Sequence, residues 1–287
     1  MDIRAILMGL AFAAMWSSAF TSARIIVAEA PPVTALALRF LISGLLAVVI
    51  ARAIGQSWSL SRAQWKATII FGVCQNALYL GLNFVAMQTV EASLAAIIAS
   101  TMPLLVVLAG WLFFSDRLSL MASGGLAAGF VGVALIMGSR FGGGVDLFGI
   151  VLCVLGVIAL TVATLSLRGA TSGGNFLMVV GLQMLVGSAV LWPVGLALET
   201  LTFTPSFRLL AAFVYTTLVP GLAATVVWFY LVDRIGAVRA ATFHFLNPFL
   251  GVAIAAALLG ERLGPLDILG VTIIAAGILA VQRARLG

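Results

Sequence analysis

Residues 92–118 read ASLAAIIASTMPLLVVLAGWLFFSDRL, and residues 237–263 read AVRAATFHFLNPFLGVAIAAALLGERL. The two stretches align without a gap at an offset of 145 residues, so that Pro103 corresponds to Pro248. Both end in an acidic residue followed by Arg and Leu, and both are followed by two glycines at matching positions. So many matches at one offset indicate an internal repeat that relates the two halves of the chain.

The composition predicts an all-α membrane protein. Hydrophobic residues make up 63% of the 287 residues and charged residues only 8%, whereas charged residues make up roughly 25% of a soluble domain. A helix needs about 20 residues to cross the hydrocarbon core, so the chain has room for about ten spans with short loops. The breaks between apolar runs predict spans at 5–27, 33–54, 67–88, 92–114, 119–138, 147–168, 175–198, 207–232, 236–259 and 265–282.

The repeat divides these ten transmembrane helices into two groups of five. We predict an N-terminal five-helix repeat at 1–140 and a C-terminal five-helix repeat at 146–287, joined by the glycine turn from Gly142 to Gly144. An odd number of crossings leaves the chain on the opposite side of the membrane, so the second repeat is inverted relative to the first. Inverted repeats of this kind are typical of transporters.

The basic residues indicate the orientation in the membrane. More of them fall on the side that carries both ends of the chain than on the other side, and this bias predicts cytoplasmic termini. The residues on the predicted cytoplasmic side are Arg4, Arg52, Arg62, Lys66, Arg117, Arg168, Arg234, Arg239, Arg283 and Arg285. Although the net charge is +6, the basic residues are dispersed singly, so no nucleic-acid partner is expected.

All nine acidic residues fall at or near the predicted span ends. Carboxylates inside the membrane are the usual proton carriers and the usual counter-ions of permanent cations, so their absence disfavours proton-coupled antiport. It also removes the acid that a membrane-embedded hydrolase places beside its base, and we expect no enzyme activity. Cys74 and Cys153 lie inside apolar runs and are expected to be core residues, without a disulfide, a metal or another cofactor.

A single histidine and two prolines lie near the middle of predicted spans. His244 precedes Pro248 by four residues, and the proline ring disrupts the helical hydrogen bond to the carbonyl of residue 244. Pro103 does the same to the carbonyl of Ala99, close to Ser100. Broken helices at mid-membrane depth are typical of substrate sites in transporters with inverted repeats. A hydrogen-bonded core histidine and purely structural kinks are the alternatives.

Polar residues form stripes on three otherwise apolar spans. Gln75, Tyr79 and Asn83 are spaced four residues apart, which places them on one face of the third span. Ser17 begins a similar stripe on the first span, and Trp228 ends one on the eighth. Lipid does not tolerate such stripes, so they line either a polar pathway or hydrogen-bonded contacts between helices.

Arg39 lies well inside the second predicted span, where its guanidinium either extends to the membrane surface or points inward as an anion contact. Several aromatic residues fall on the same group of spans and can enclose an apolar part of a substrate. The candidate substrate-binding residues are Trp16, Ser17, Phe20, Arg39, Gln75, Tyr79, Asn83, Ser100, Trp228, Phe243, His244 and Asn247, with Pro103 and Pro248 as candidate helix-break and gating positions.

With these features placed, the sequence resembles the drug/metabolite transporter superfamily, in particular its ten-span exporters with EamA domains. The resemblance rests on the segment from Trp16 to Phe20, on Arg39-Phe40, on the mid-span prolines and on the acidic-Arg-Leu turns followed by glycines. It implies an inner-membrane exporter whose cavity is lined by spans one to four and six to nine, with spans five and ten outside it. Within the superfamily, the chain is similar to exporters of amino acids, including aromatic amino acids.

The resemblance does not extend to proton-coupled export of cations. Related four-helix multidrug exporters use a membrane glutamate in their first helix, where this chain has the segment from Phe12 to Met15. The expected function is therefore the export of amino acids or similar small metabolites by alternating access, without an energy-coupling carboxylate.

The expected partners are the small-molecule substrate and the lipid bilayer, and the protein is expected to be a monomer or a homodimer. Export of lipophilic drugs or other metabolites is the first alternative. A membrane-embedded enzyme or a scaffold subunit is the second, although His244 lacks an evident acidic partner and a scaffold needs no polar stripes.

Overall fold

The computed structural model is helical in each of the elements that it describes. The described residues are 2–141, 146–166, 174–262 and 264–284. Four features used in the predictions above lie outside them, namely the glycine turn from Gly142 to Gly144, Arg168, Leu263 and Arg285.

Ten helices in this described part are long and apolar enough to cross a membrane, and they confirm the predicted fold. Their boundaries differ from the predicted ones by a few residues, mainly at the start of the third span. The helices are α1 (Ile3–Glu29), α2 (Pro32–Ala53), α3 (Arg62–Ala86), α4 (Ala92–Phe114), α5 (Leu120–Phe141), α6 (Leu147–Ser166), α7 (Phe176–Leu198), α8 (Phe207–Ile235), α9 (Ala237–Ala241, Thr242–Leu246 and Asn247–Leu259) and α10 (Pro265–Ala284).

The repeat is visible in the helix boundaries. α3 and α8 begin at Arg62 and Phe207, and α5 and α10 begin at Leu120 and Pro265. Both pairs are separated by the same 145 residues that relate the matching sequence stretches. The residue before α3 and the residue before α8 are both serines whose hydroxyl accepts a hydrogen bond from the first turn of the helix. Equivalent sequence positions therefore cap the N-terminus of a helix in both repeats.

Helices α4 and α9 are interrupted at equivalent positions. α4 breaks at Thr101, and α9 changes to a 3-10 turn at Thr242–Leu246. Pro103 and Pro248 then occupy the second position of the following segment, where a helix requires no N–H donor. The interruption thus lies immediately before each proline, because the ring removes a hydrogen bond that would have joined the two segments.

π-helical turns interrupt α3 at Gly72–Tyr79 and α8 at Val219–Ala223. The first turn contains Gln75 and Tyr79 of the predicted polar stripe. The stripe was derived for a regular α-helix, and this regularity is wrong because a π-helix closes each hydrogen bond over one more residue. The second turn contains Pro220, which cannot donate a backbone hydrogen bond. π-helical turns within α-helices are frequent at functional sites.

The chain forms two compact units, and each unit combines segments from both halves of the sequence. Unit 1 contains Met1–Thr21, Thr89–Ile150 and Ala223–Gly287. Unit 2 contains Ser22–Gln88 and Val151–Leu222. Each sequence repeat is therefore one continuous segment of the chain, whereas each compact unit contains segments of both repeats.

In unit 1, α5 packs against α10 through glycine faces. A Cβ added to Gly125 would lie 2.7 Å from the carbonyl oxygen of Gly277, and one added to Gly132 would lie 2.7 Å from that of Gly270. These distances leave no room for a side chain, so the glycines allow the two backbones to approach closely.

Replacing Gly277 by alanine is expected to destabilise the protein by about 1–3 kcal/mol, because the new methyl group would lie 2.9 Å from the backbone nitrogen of Gly129. Gly124→Ala is the matched control, since a Cβ there meets nothing within 4 Å. Thermal unfolding in detergent should show a lower midpoint for the first variant alone. Equal midpoints for the two variants would show that glycine packing does not hold α5 against α10.

Two carboxylates at span ends cap helices, one in each unit. In unit 1, the Glu261 carboxylate accepts hydrogen bonds of 2.8 and 2.9 Å from the backbone N–H groups of Ala92 and Ser93. In unit 2, the Glu199 carboxylate accepts bonds of 2.7 and 2.8 Å from those of Val33 and Thr34. Both helix N-termini attract negative charge. These two carboxylates therefore serve as structural caps.

Two further carboxylates outside the spans have fixed partners. Asp2 pairs with Arg234, whose side-chain hydrogen bond lowers the pKa of Asp2 to about 2. Asp146 accepts a hydrogen bond of 2.6 Å from the Thr89 hydroxyl, and this bond lowers the pKa of Asp146. Both groups therefore remain ionised at neutral pH and help to position the ends of their helices.

Candidate functional site

Three aromatic side chains lie around the single histidine in unit 1. The ring centroids of Phe12, Trp16 and Trp228 lie 5.3, 6.3 and 5.2 Å from that of His244. The Phe12 centroid also lies 5.8 Å from that of Trp16 and 4.6 Å from that of Trp228. α1 contributes Phe12 and Trp16 one turn apart, α8 contributes Trp228, and the 3-10 turn of α9 contributes His244. We refer to these four residues as the aromatic cluster.

Asn247 lies beside the aromatic cluster, three residues after His244 in the broken helix α9. Its side-chain nitrogen lies 2.9 Å from Nδ1 of His244, and its backbone carbonyl accepts a bond of 3.4 Å from the hydroxyl of Ser17. The remaining side-chain atom, Oδ1, is buried and has no hydrogen-bond partner in the described residues. A buried acceptor without a partner is unfavourable by about 1–3 kcal/mol. A ligand with a hydrogen-bond donor would remove this penalty.

Phe243, which precedes His244, belongs to the hydrophobic core of unit 1. It packs with Ala5, Leu231 and Ala240, and its ring lies against Gly9 of α1. The contacts of Phe243 within the described residues are therefore packing contacts with this core.

The other candidates in unit 1 are buried in helices α1 and α4. Phe20 is buried, and so is Ser100, whose hydroxyl donates a bond of 2.7 Å to the carbonyl of Ile97. The adjacent Thr101 hydroxyl donates a bond of 2.6 Å to the carbonyl of Ile98. Both hydroxyl protons are therefore used within α4, and only the oxygen lone pairs are available to a ligand.

In unit 2, the polar residues of the α3 stripe differ in burial and in hydrogen bonding. Tyr79 and Asn83 are buried, whereas Gln75 is half-buried. The Asn83 side-chain nitrogen donates a bond of 2.8 Å to the carbonyl of Tyr79, and its Oδ1 lacks a partner among the described residues. A Cβ on Gly156 of α6 would lie 2.7 Å from that nitrogen, so α6 approaches α3 closely here. This part of the stripe thus lies at a helix contact.

Arg39 lies in the interior of unit 2 and is only 5% exposed. Of the two predicted alternatives, extension to the membrane surface does not fit this burial. Its Nε has no hydrogen-bond partner in the part of the chain that the structure describes, and its guanidinium carbon lies 5.1 Å from the ring centroid of Phe40. The position is unusual, because charged residues in membrane proteins are normally paired.

The sequence predictions omitted one member of the aromatic cluster. Phe12 lies in an apolar run, and its spacing of four residues from Trp16 was the available signal. The predictions also omitted Asn76, which is buried against Gly187 of α7. In the described ranges of the chain, no three His, Cys, Asp or Glu side chains converge as metal ligands.

Comparison with known proteins agrees with this architecture. The EamA-like transporter family matches the chain twice, at residues 3–138 and 147–282. The chain is 26% identical to the transporter YvbV of Bacillus subtilis, over 93% of this chain and 88% of that one. It is 25% identical to the inner membrane transporter YedA of Escherichia coli, over 94% of this chain and 88% of that one. It is also 23% identical to the protein PecM of Dickeya dadantii, over 77% and 75% of the two chains.

A solved crystal structure has the same fold, with a TM-score of 0.69 and 20% sequence identity over 100% of this chain and 99% of the other. Two successive matches to one family, each spanning five of the ten helices, correspond to the repeat read from the sequence. The chain therefore belongs to the EamA-like transporter family, and it is a multi-pass membrane transporter.

Proposed function

We propose that the protein exports amino acids, in particular aromatic and other neutral ones, across the bacterial inner membrane. The observation that carries this proposal is the aromatic cluster of unit 1, with the unpaired Oδ1 of Asn247 beside it. Aromatic faces and edges suit an apolar side chain, and a buried acceptor suits an ammonium group or an indole N–H. The pairing of apolar surface with one polar anchor is typical of sites for small molecules.

The proposed transport is facilitative and occurs by alternating access of the two inverted repeats, 1–140 and 146–287. Glu199 and Glu261 cap helices, and among the described residues His244 has Asn247, not a carboxylate, as its hydrogen-bond partner. Both observations support transport without a proton-carrying acidic residue. The helix breaks before Pro103 and Pro248 are the proposed hinges. The bias of basic residues supports a cytoplasmic position for both chain ends.

The proposal is tested by counterflow in proteoliposomes. Radiolabelled Phe, Trp, Thr and Met are measured with and without an imposed pH gradient, beside empty liposomes. Saturable and mutually inhibited uptake, unchanged by the gradient, is expected. Absence of flux for all four amino acids would refute the amino-acid assignment, and inhibitor-sensitive transport of a lipophilic dye under the same conditions would favour export of lipophilic drugs.

A further inference from the structure

Arg39 has a buried charge for which the described part of the protein provides no counter-ion. The residue is 5% exposed, its Nε lacks a partner, and no acidic residue forms an ion pair with it among the described residues. A guanidinium stays protonated in proteins and carries five N–H donors. Burying such a charge without a partner is strongly unfavourable, so its position calls for an anion that arrives from outside the chain.

Arg39 and Ser43 face the same point of the α8 backbone. A Cβ on Gly221 would lie 3.5 Å from Nη2 of Arg39, 3.5 Å from the hydroxyl oxygen of Ser43 and 3.1 Å from the carbonyl oxygen of Thr216. Because Gly221 has no side chain, both polar groups border the position that a methyl group would occupy there. Gly221 belongs to the π-helical turn of α8, where the backbone departs from regular helix.

The groups around this space are held in place by neighbouring helices of unit 2. Ser188 of α7 donates a bond of 2.8 Å to the carbonyl of Ala37, which fixes the turn of α2 that precedes Arg39. Ser43 lies one helical turn after Arg39, and its hydroxyl donates to the carbonyl of Thr217 at 3.4 Å. That distance is at the long limit for a hydrogen bond, so the Ser43 hydroxyl can turn to a better acceptor.

The charge balance selects a singly charged ligand. The other basic residues that the structure describes in unit 2 have a contact of their own or lie near the ends of helices. Arg24 donates to the carbonyl of Met87, Arg52 stacks on Trp58, and the remaining described ones are Arg62, Lys66 and Arg208. One guanidinium balances one carboxylate, and the planar fork of its donors matches both carboxylate oxygens. A phosphate group, with a charge of roughly −1.5 to −2, would need a second cation.

We propose that Arg39, Ser43 and the turn around Gly221 form a binding site for the carboxylate of a small monocarboxylate substrate. This proposal rests on the transport function proposed above, and it narrows the substrates to those that carry a free carboxylate. An amino acid meets this requirement, whereas the corresponding amine or amide does not.

The test measures binding to the full-length protein in nanodiscs of zwitterionic lipid, so that no anionic headgroup competes. The probe is radiolabelled phenylpropionate, which has a carboxylate and no amine, and the competitors are L-phenylalanine, phenethylamine and L-phenylalaninamide. The wild-type protein should bind the probe, and only L-phenylalanine should displace it. Arg39→Gln should weaken binding roughly 30-fold or more, and Arg39→Lys should weaken it less because the charge remains.

Three further variants keep the test independent of the folding of Arg39→Gln. Gly221→Ala keeps every charge but occupies the proposed carboxylate space, so it should also abolish binding of the probe. Arg52→Gln removes a basic residue from the same helix, and Gly124→Ala adds a methyl group in open space; both should bind as the wild type does. Wild-type protein without affinity for phenylpropionate, or unchanged binding in Arg39→Gln or Gly221→Ala, would overturn the carboxylate site.

The outcomes separate this proposal from the transport proposal. Arg39-dependent binding of phenylpropionate without any flux of amino acids would support the carboxylate site and refute amino-acid export. Undiminished flux of L-phenylalanine through Arg39→Gln would support amino-acid export and refute the carboxylate site.

Discussion

Replacing Trp228 by alanine is expected to raise the concentration of Phe or Trp that half-saturates transport by about 10- to 100-fold. The indole ring lies 4.6 Å from Phe12 and 5.2 Å from His244 between ring centroids, so it forms a large part of the aromatic cluster. Its removal takes away apolar surface and exposes the remaining rings to water. Counterflow of radiolabelled Phe and Trp measures the effect.

The control for this variant is Trp111→Ala, which removes a half-exposed tryptophan from α4 of the same unit. It should transport as the wild type does. Trp228→Phe retains an aromatic ring, so its half-saturating substrate concentration should lie between those of the wild type and of Trp228→Ala. Because Trp228 also packs against the core around Phe243, each variant is first shown to be monodisperse in detergent. If Trp228→Ala is folded and its half-saturating substrate concentration equals that of the wild type, the aromatic cluster does not lie on the substrate pathway.

Replacing Asn247 by leucine is expected to weaken affinity for L-phenylalanine about tenfold or more. Leucine has nearly the same shape but cannot accept a hydrogen bond, so the unpaired Oδ1 of Asn247 is lost as a partner for the substrate ammonium group. Phenylpropionate has no ammonium group, and its binding should change little. Competition binding with the two ligands on the same preparation measures the difference.

Asn247→Asp is the matched variant, because it keeps an oxygen at the same position and should retain L-phenylalanine binding. The loss of the bond between Asn247 and His244 affects all ligands alike, and the comparison of two ligands removes that contribution. Equal losses for L-phenylalanine and phenylpropionate in Asn247→Leu would show that Asn247 supports the structure of the turn and does not contact an amine.

The helix boundaries were predictable because they depend on local sequence. Apolar runs, prolines and glycines determine where a membrane helix starts and ends, and α4 begins at Ala92 as predicted. The equivalent start of α9 at Ala237 follows from the repeat. The assembly of two compact units from parts of both repeats depends on contacts between distant segments, which hydropathy does not contain.

The candidate site was predicted only in part, for reasons that differ between residues. His244 was predicted because it lies four residues before the mid-span Pro248, whose ring frees the carbonyl of residue 244, and Asn247 was predicted beside it. Phe12 was missed because one phenylalanine in an apolar run resembles any other. Phe243 and His244 are neighbours in sequence, yet only the winding of the 3-10 turn determines which of them packs into the core.

For Arg39, the direction of the side chain could not be predicted from the sequence. Its place in the second span was evident, but a long side chain reaches either the surface or the interior from the same backbone position. The π-helical turn at Val219–Ala223, against which it lies, is a change of hydrogen-bond register that a hydropathy pattern does not encode. Burial of the guanidinium could be read only from the structure.

The most direct test of the central claim uses His244, the one histidine in the sequence. Protein that carries no histidine tag and is labelled with isotopes only at histidine gives ring NMR signals from this residue alone. Titration with L-phenylalanine or L-tryptophan should shift these signals saturably through the ring current of the bound ligand, and the shift should be lost in Trp228→Ala. Unchanged His244 signals at ligand concentrations that saturate transport would show that the substrate does not bind at the aromatic cluster.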